Sequence, residues 1–214
     1  LSFFGANLTK IADGGWFPLA FAGGLFVLMT TWKQGRALLK ARRDRDAMPL
    51  AAFVQSMSGA EVPTVPGTAV FLTPHPDQVP HSLLHSLKHY KTLHEQVVIL
   101  SVSVFDVPYV PDIDRIEVHR LAGNFSQVIV QYGFKDEPDI PAARGLCAAG
   151  GLHIDLMDAS FFLGRETLIP KLESDMAYWR ELLFVAMFRN ASSATAFFRI
   201  PSNRVVELGS QIVL

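Results

Sequence analysis

Between Asp13 and Lys33 the chain carries no charged side chain. The 19 residues 14–32 are therefore free to enter an apolar phase without burying an ion. As a helix they approach the length needed to cross a hydrocarbon layer of about 30 Å, which takes roughly 20 apolar residues. Trp16 and Trp32 lie 16 positions apart, about 24 Å along a helix axis. That spacing sets one indole near each face of a bilayer, as an aromatic belt requires. Pro18 falls in the first turn, where a missing N–H costs little. The competing reading is a helix buried in an ordinary core, against which the paired tryptophans and the uncharged length both argue.

The charge that follows gives this stretch a direction. Lys33, Arg36, Lys40, Arg42, Arg43 and Arg45 place six cations within 13 residues, whereas Lys10 is the only cation before it. Loops rich in Lys and Arg stay on the cytoplasmic side, so residue 33 onward is expected in the cytoplasm, against anionic headgroups. A net charge of −1 over 214 residues gives no global electrostatic case for a nucleic-acid partner. A single cysteine, Cys147, cannot form an internal disulfide and agrees with a reducing compartment. The chain opens on Leu1-Ser2-Phe3-Phe4 rather than on methionine and shows no cleavage site after the apolar run, so it reads as the C-terminal part of a longer membrane protein.

Four segments follow: 1–12 as the end of a preceding transmembrane helix and its turn, 13–45 as the last transmembrane helix with its basic extension, 46–66 as a juxtamembrane helix and linker, and 67–214 as a cytoplasmic domain. The fold class expected is a transmembrane helix followed by an α/β domain with a mixed sheet. Within the domain, strands are expected at 68–73 and 96–104 around a helix at 80–91, a spacing that suggests a parallel βαβ unit. A hairpin is expected from 114–121 and 126–132, and a short helix at 141–149 ending on Gly150-Gly151. A strand over 159–163 should stop at a turn on Gly164, an amphipathic helix should span 176–189, and 205–214 should form a final strand. The 176–189 helix should bury Trp179, Leu182, Leu183, Val185, Ala186 and Phe188. The pairs Gly14-Gly15 and Gly23-Gly24 suit close helix packing.

No constellation of nucleophile, base and acid is legible, so no catalytic residue, no metal site and no cofactor is assigned. His81, His85 and His89 recur every fourth residue and would share one helix face, opposite Leu83, Leu84, Leu87 and Tyr90. That face is a solvated stripe or, alternatively, a metal-binding or pH-sensing one. Cys147 has no histidine nearer in sequence than His153. Glu61, Asp77, Asp106, Asp112 and Asp114 read as solvated loop carboxylates. Arg165 and Glu166 follow a strand end, where α/β sheets hold their ligands, or else form a local ion pair at a turn.

Several runs resemble one family. Phe4-Gly5-Ala6-Asn7-Leu8, Gly14-Gly15-Trp16-Phe17-Pro18-Leu19 and Met29-Thr30-Thr31-Trp32 are similar to the last spans of the Kup (KUP/HAK/KT) potassium uptake permeases. The likeness continues through Gly67-Thr68-Ala69-Val70-Phe71-Leu72-Thr73, His94-Glu95-Gln96-Val97-Val98, Tyr132-Gly133-Phe134, Phe161-Phe162-Leu163-Gly164-Arg165-Glu166-Thr167 and Arg204-Val205-Val206-Glu207-Leu208-Gly209. The resemblance implies a multi-pass protein of the bacterial inner membrane that imports K⁺ with a co-transported proton. It also implies a cytoplasmic domain serving regulation or assembly, a homodimer, and a cyclic dinucleotide as regulator. The ion-coordinating residues of that family lie on earlier spans, so no residue here receives such a role. The other function weighed is a membrane-tethered domain that senses a nucleotide on its own account.

Overall fold

The run Val97-Val98-Ile99-Leu100 offers no polar break, and a strand of that kind must be covered on both faces. The computed structural model, which describes residues 15–140, 147, 150–155, 157–171, 175–191 and 198–214, buries all four. The helix end and turn expected over 1–12 lie outside the described residues, as does most of the helix expected over 141–149. Elements follow in the order α1 (Trp16–Arg45), α2 (Leu50–Met57), β1 (Thr64–Thr73), α3 (His81–Tyr90), β2 (Leu93–Phe105), β3 (Ile116–Arg120), β4 (Phe125–Gly133), β5 (Ala159–Ile169), α4 (Tyr178–Arg189) and β6 (Val205–Val213). Short 3₁₀ turns cover Asp112–Asp114 and Ser202–Arg204.

The six strands form one sheet in the order β3-β4-β2-β1-β5-β6. β1 pairs in parallel with β2 and β5, β2 pairs in parallel with β4, and β3 closes antiparallel on β4. The sheet is thus mixed, with the expected βαβ unit and hairpin both present. From β1 the chain steps outward to β2 and β4, then returns past β1 to β5. A right-handed crossover in each direction must put its connection on opposite faces. Leu83 of α3 accordingly joins Ala69, Phe71, Val97 and Ile99 on one face. Ile140, Cys147 and Leu152 from the β4–β5 connection join Val70, Val98, Leu100 and Val128 on the other. The period-2 alternation of each strand decides which residue goes to which face.

The residues before β1 belong to this core as well. Leu50, Phe53 and Val54 of α2 are buried on the α3 side, and the Phe53 ring meets Phe125 edge-on at 6.0 Å. A backbone clasp holds the segment. The Leu50 N–H donates to the Asp77 carbonyl and the Val79 N–H to that of Met48, both at 2.9 Å.

By contact clustering the chain forms two units. One comprises the described residues of Leu1–Arg45, Leu168–Ala191 and Ile212–Leu214, the other those of Asp46–Thr167 and Ser192–Gln211. In the first, α1 packs against α4 around Leu39, Leu168, Met176, Phe184, Val185 and Leu214. A Cβ on Gly35 would meet the Phe184 ring, so the ring lies directly over the glycine backbone. Within the described residues the close approach is at Gly35; around Gly23 and Gly24 a Cβ would meet nothing. Arg180 donates from Nε to the Thr31 hydroxyl at 3.0 Å, and Thr31 is fully buried. Within this unit Glu181 is also buried, and it accepts the Lys171 N–H at 3.0 Å.

Several expectations change. β5 runs through Gly164 to Ile169 without a turn, because Gly164 keeps an extended backbone and the flanking Leu163 and Leu168 both find buried places. On α3 Leu83 is buried with Leu84 and Leu87 packed half-buried against the same core, as expected; Ser82 and Ser86 join them, while Tyr90 at the helix end is exposed. On α4 the buried residues are Glu181, Phe184 and Val185, whereas Trp179 and Leu182 face outward. Finally, no helix among the described residues is long and apolar enough to cross a membrane. The expected span is observed as a helix whose first half is apolar and whose last turn carries Arg42, Arg43 and Arg45.

Candidate functional site

Parallel strands give the sheet two chemically different rims, and the Gly67-Thr68 and His94-Glu95-Gln96 runs lie at one of them. At the N-terminal rim, Gly67 takes φ 98°, open to glycine and strained for other residues. A side chain there would also come within 3.1 Å of the Asp158 carbonyl oxygen. The next residue, Thr68, donates its N–H to that carbonyl at 3.4 Å and its hydroxyl to Gln96 Oε1 at 2.9 Å. Asn124 Nδ2 donates to the His94 carbonyl at 2.6 Å, and the Asn124 carbonyl accepts the Val97 N–H at 3.0 Å. The His94 ring stands edge-on to Phe162 at 5.8 Å. Burial lowers the pKa of His94 below its ordinary value, with the Asp158 charge opposing that shift. These bonds tie the starts of β1, β2, β4 and β5 together. The Gly-Thr and His-Glu-Gln runs are in this sense a rim fastening.

A cavity of about 290 Å³ opens at the same rim. Its walls come from the end of α2, the strand starts at Thr64 and Leu93, and the turn at Gly123 and Asn124.

At the C-terminal rim the polar centre is Asp136. Its carboxylate accepts the Gly133 N–H at 2.7 Å and the Val110 N–H at 3.1 Å, with Arg115 at 3.5 Å. Those two amides, and then Arg115, hold its pKa below the usual carboxylate value. The Arg115 Nη2 donates to the Val110 carbonyl at 2.7 Å, and its guanidinium stands over the Tyr132 ring at 5.6 Å. The Tyr132 pKa rises, chiefly through burial. The carboxylate's donors come from both segments, so this knot closes the loop after β2 onto the turn after β4. The knot is not legible in the sequence because Asp136 lies 26 positions from Val110 and joins a different loop; the Tyr132-Gly133-Phe134 run was the available signal.

The residues singled out from sequence do not converge. Arg165 pairs with Glu207 of β6 at 3.3 Å on an exposed surface. It is an ion pair between strands, not one at a turn. The His85 and His89 rings lie 4.4 Å apart on the exposed side of α3. No group of three or more potential metal ligands exists among the described residues. Cys147 is buried within the core, and burial raises its thiol pKa, which keeps it protonated and unreactive. Asp112 is paired with Arg115 at 3.4 Å.

Comparison with known proteins gives this arrangement a family. Residues 66–214 match the C-terminal domain of K⁺ potassium transporters, and residues 1–37 match the integral membrane domain of the same transporters. The chain is 72% identical over 214 residues to the probable potassium transport system protein Kup 3 of Dechloromonas aromatica, strain RCB. It is 60% identical to Kup 1 of the same organism and 55% identical to Kup of Azoarcus sp. strain BH72. Each match covers all of this chain and 34% of the relative, so the chain spans about a third of those proteins' length. No solved structure matches it. With the two transporter matches following one another along a single chain, this chain belongs to the Kup family of potassium transporters and carries that family's C-terminal domain.

Proposed function

We propose that the chain is the C-terminal part of a bacterial inner-membrane permease that takes up K⁺ together with a proton. In this reading α1 is the last membrane span and the residues from Lys33 onward are cytoplasmic. The order of the two family matches, membrane domain then C-terminal domain, is the observation that carries the reading. The surface of α1 supports it. Phe17, Leu19, Phe21, Phe26 and Met29 are each at least 60% exposed, a set of side chains suited to lipid or to neighbouring spans. The domain boundary we propose lies at Asp46, since α2 is part of the sheet unit's core.

The sheet unit regulates or assembles the permease as a homodimer, and a cyclic dinucleotide is the regulator suggested by the family resemblance. No specific observation favours an independent nucleotide-sensing domain. The transported ions make no use of the residues described above; their coordination belongs to parts of the protein beyond this chain. Two measurements test the proposal. The full-length protein carrying this chain should restore growth of a K⁺-uptake-deficient strain at low K⁺, and expression in the membrane without rescue would overturn the transport reading. A Ser202→Cys variant in intact cells should resist a membrane-impermeant maleimide and react only after permeabilisation. Labelling of intact cells would reverse the orientation.

A further inference from the structure

The cavity at the N-terminal rim lies away from the strand C-termini, where sheets of this kind usually hold ligands. Its floor is apolar, with Met57, Leu93 and Phe125 among its walls. Its polar lining is one-sided. Glu95 is exposed into it with no partner among the described residues, and Thr64 and Asn124 add oxygen atoms. Asn124 donates its amide N–H to the His94 carbonyl, which leaves Oδ1 for an occupant. Among the described residues no lysine, arginine or histidine lines the space. An anion would find a carboxylate and no counter-charge among the described residues, so Coulomb repulsion disfavours anionic ligands there. A bare inorganic ion would gain nothing from the apolar floor. A volume of about 290 Å³ holds a body on the order of ten water-sized atoms.

We propose that this cavity is a binding site for a small organic ammonium ion, its N⁺–H groups donating to Glu95 and Asn124 and its carbon chain resting on Leu93 and Phe125. Such an occupant ties the segment after α2 to the starts of β2 and β4, because both supply walls. Nothing in this inference depends on the transport reading.

Calorimetric titration of the detergent-solubilised chain with n-butylammonium chloride tests it, with potassium chloride and sodium butyrate at matched ionic strength as controls. The expected result is saturable butylammonium binding that Glu95→Gln weakens about tenfold, the loss of one charged contact at about 1.4 kcal/mol per decade. Ala60→Trp, which fills the space from the linker side, should abolish it. Glu95 is a surface side chain, so Glu95→Gln keeps the fold and carries the test should Ala60→Trp not fold. Absence of saturable heat, or equal binding by Glu95→Gln, overturns the site. Saturation of the same signal by potassium chloride overturns the organic class and makes it an inorganic cation site.

Discussion

The two units of this chain solve the burial problem in opposite ways. In the sheet unit Ala69, Val97, Val98, Ile99, Val128 and Ala159 reach 0% exposure. Helices and connections cover both faces of the sheet, and its apolar residues are spent inside. In the helical unit the packed seam is confined to the second half of α1, where Thr31, Gly35 and Leu39 are buried against α4. The first half presents Trp16, Phe17, Leu19 and Phe21 outward. A surface of that composition needs a partner that water cannot be. The difference is that one unit spends its apolar residues inside its own core, while the other leaves the apolar first half of α1 exposed.

Breaking the core on each side gives the largest predicted contrast. Phe71 stacks on Phe162 at 4.7 Å and is 2% exposed. Phe71→Ala should destabilise the sheet unit by about 3–5 kcal/mol in denaturant titrations of the detergent-solubilised chain. Phe21→Ala, 62% exposed, should move the same transition by less than about 0.5 kcal/mol. Equal losses would mean that the exposed helix face is part of the fold's own core.

Next in size is the helix seam. Gly35→Val forces a branched side chain into the Phe184 ring and should cost about 1–3 kcal/mol. The loss should appear as earlier thermal unfolding of the helical signal, and Phe184→Leu should recover part of it by making room.

A smaller effect of opposite sign is expected at the end of α3. Lys91 caps that helix at φ 56°, donating its N–H to the Leu87 carbonyl at 3.0 Å. Lys91→Gly removes the Cβ strain but loosens the unfolded chain, leaving a net gain of about 0.5–1 kcal/mol. Urea midpoints would report it.

The smallest is a pH term. The folded pKa of His94 lies below its ordinary value of 6.5, chiefly through burial. Above 6.5 the imidazole is neutral both folded and unfolded, and contributes nothing. Below it the unfolded chain binds the proton first, so stability falls as pH drops and levels off beneath the folded value. His94→Gln should flatten that segment of the pH–stability curve; an unchanged slope would assign the acid sensitivity elsewhere.

Much of the sheet was legible because its signals are local. The βαβ unit showed in the β-branched strand expected at 96–104 and in the helix expected at 80–91, and the 122–125 turn marked the hairpin. The site-level reading was less complete because the decisive contacts are between distant residues. The Asp136–Arg115–Val110 knot, the Gly67–Asp158 approach and the Gly35–Phe184 seam each join segments that no spacing rule connects. Gly35 illustrates the limit: only the Phe184 ring over its backbone marks it as a packing position.

What the amino-acid order determined by itself is the polarity of the chain: an uncharged stretch, then a cluster of cations, then an alternating α/β pattern, all set by transfer free energies and backbone periodicity that act residue by residue. The tertiary structure decided the rest. It brought α2 into the sheet's core, carried β5 straight through Gly164, and placed Glu95 and Asn124 around one cavity. Those outcomes depend on which surfaces meet, and packing and hydrogen-bond satisfaction settle that only once the whole sheet is assembled.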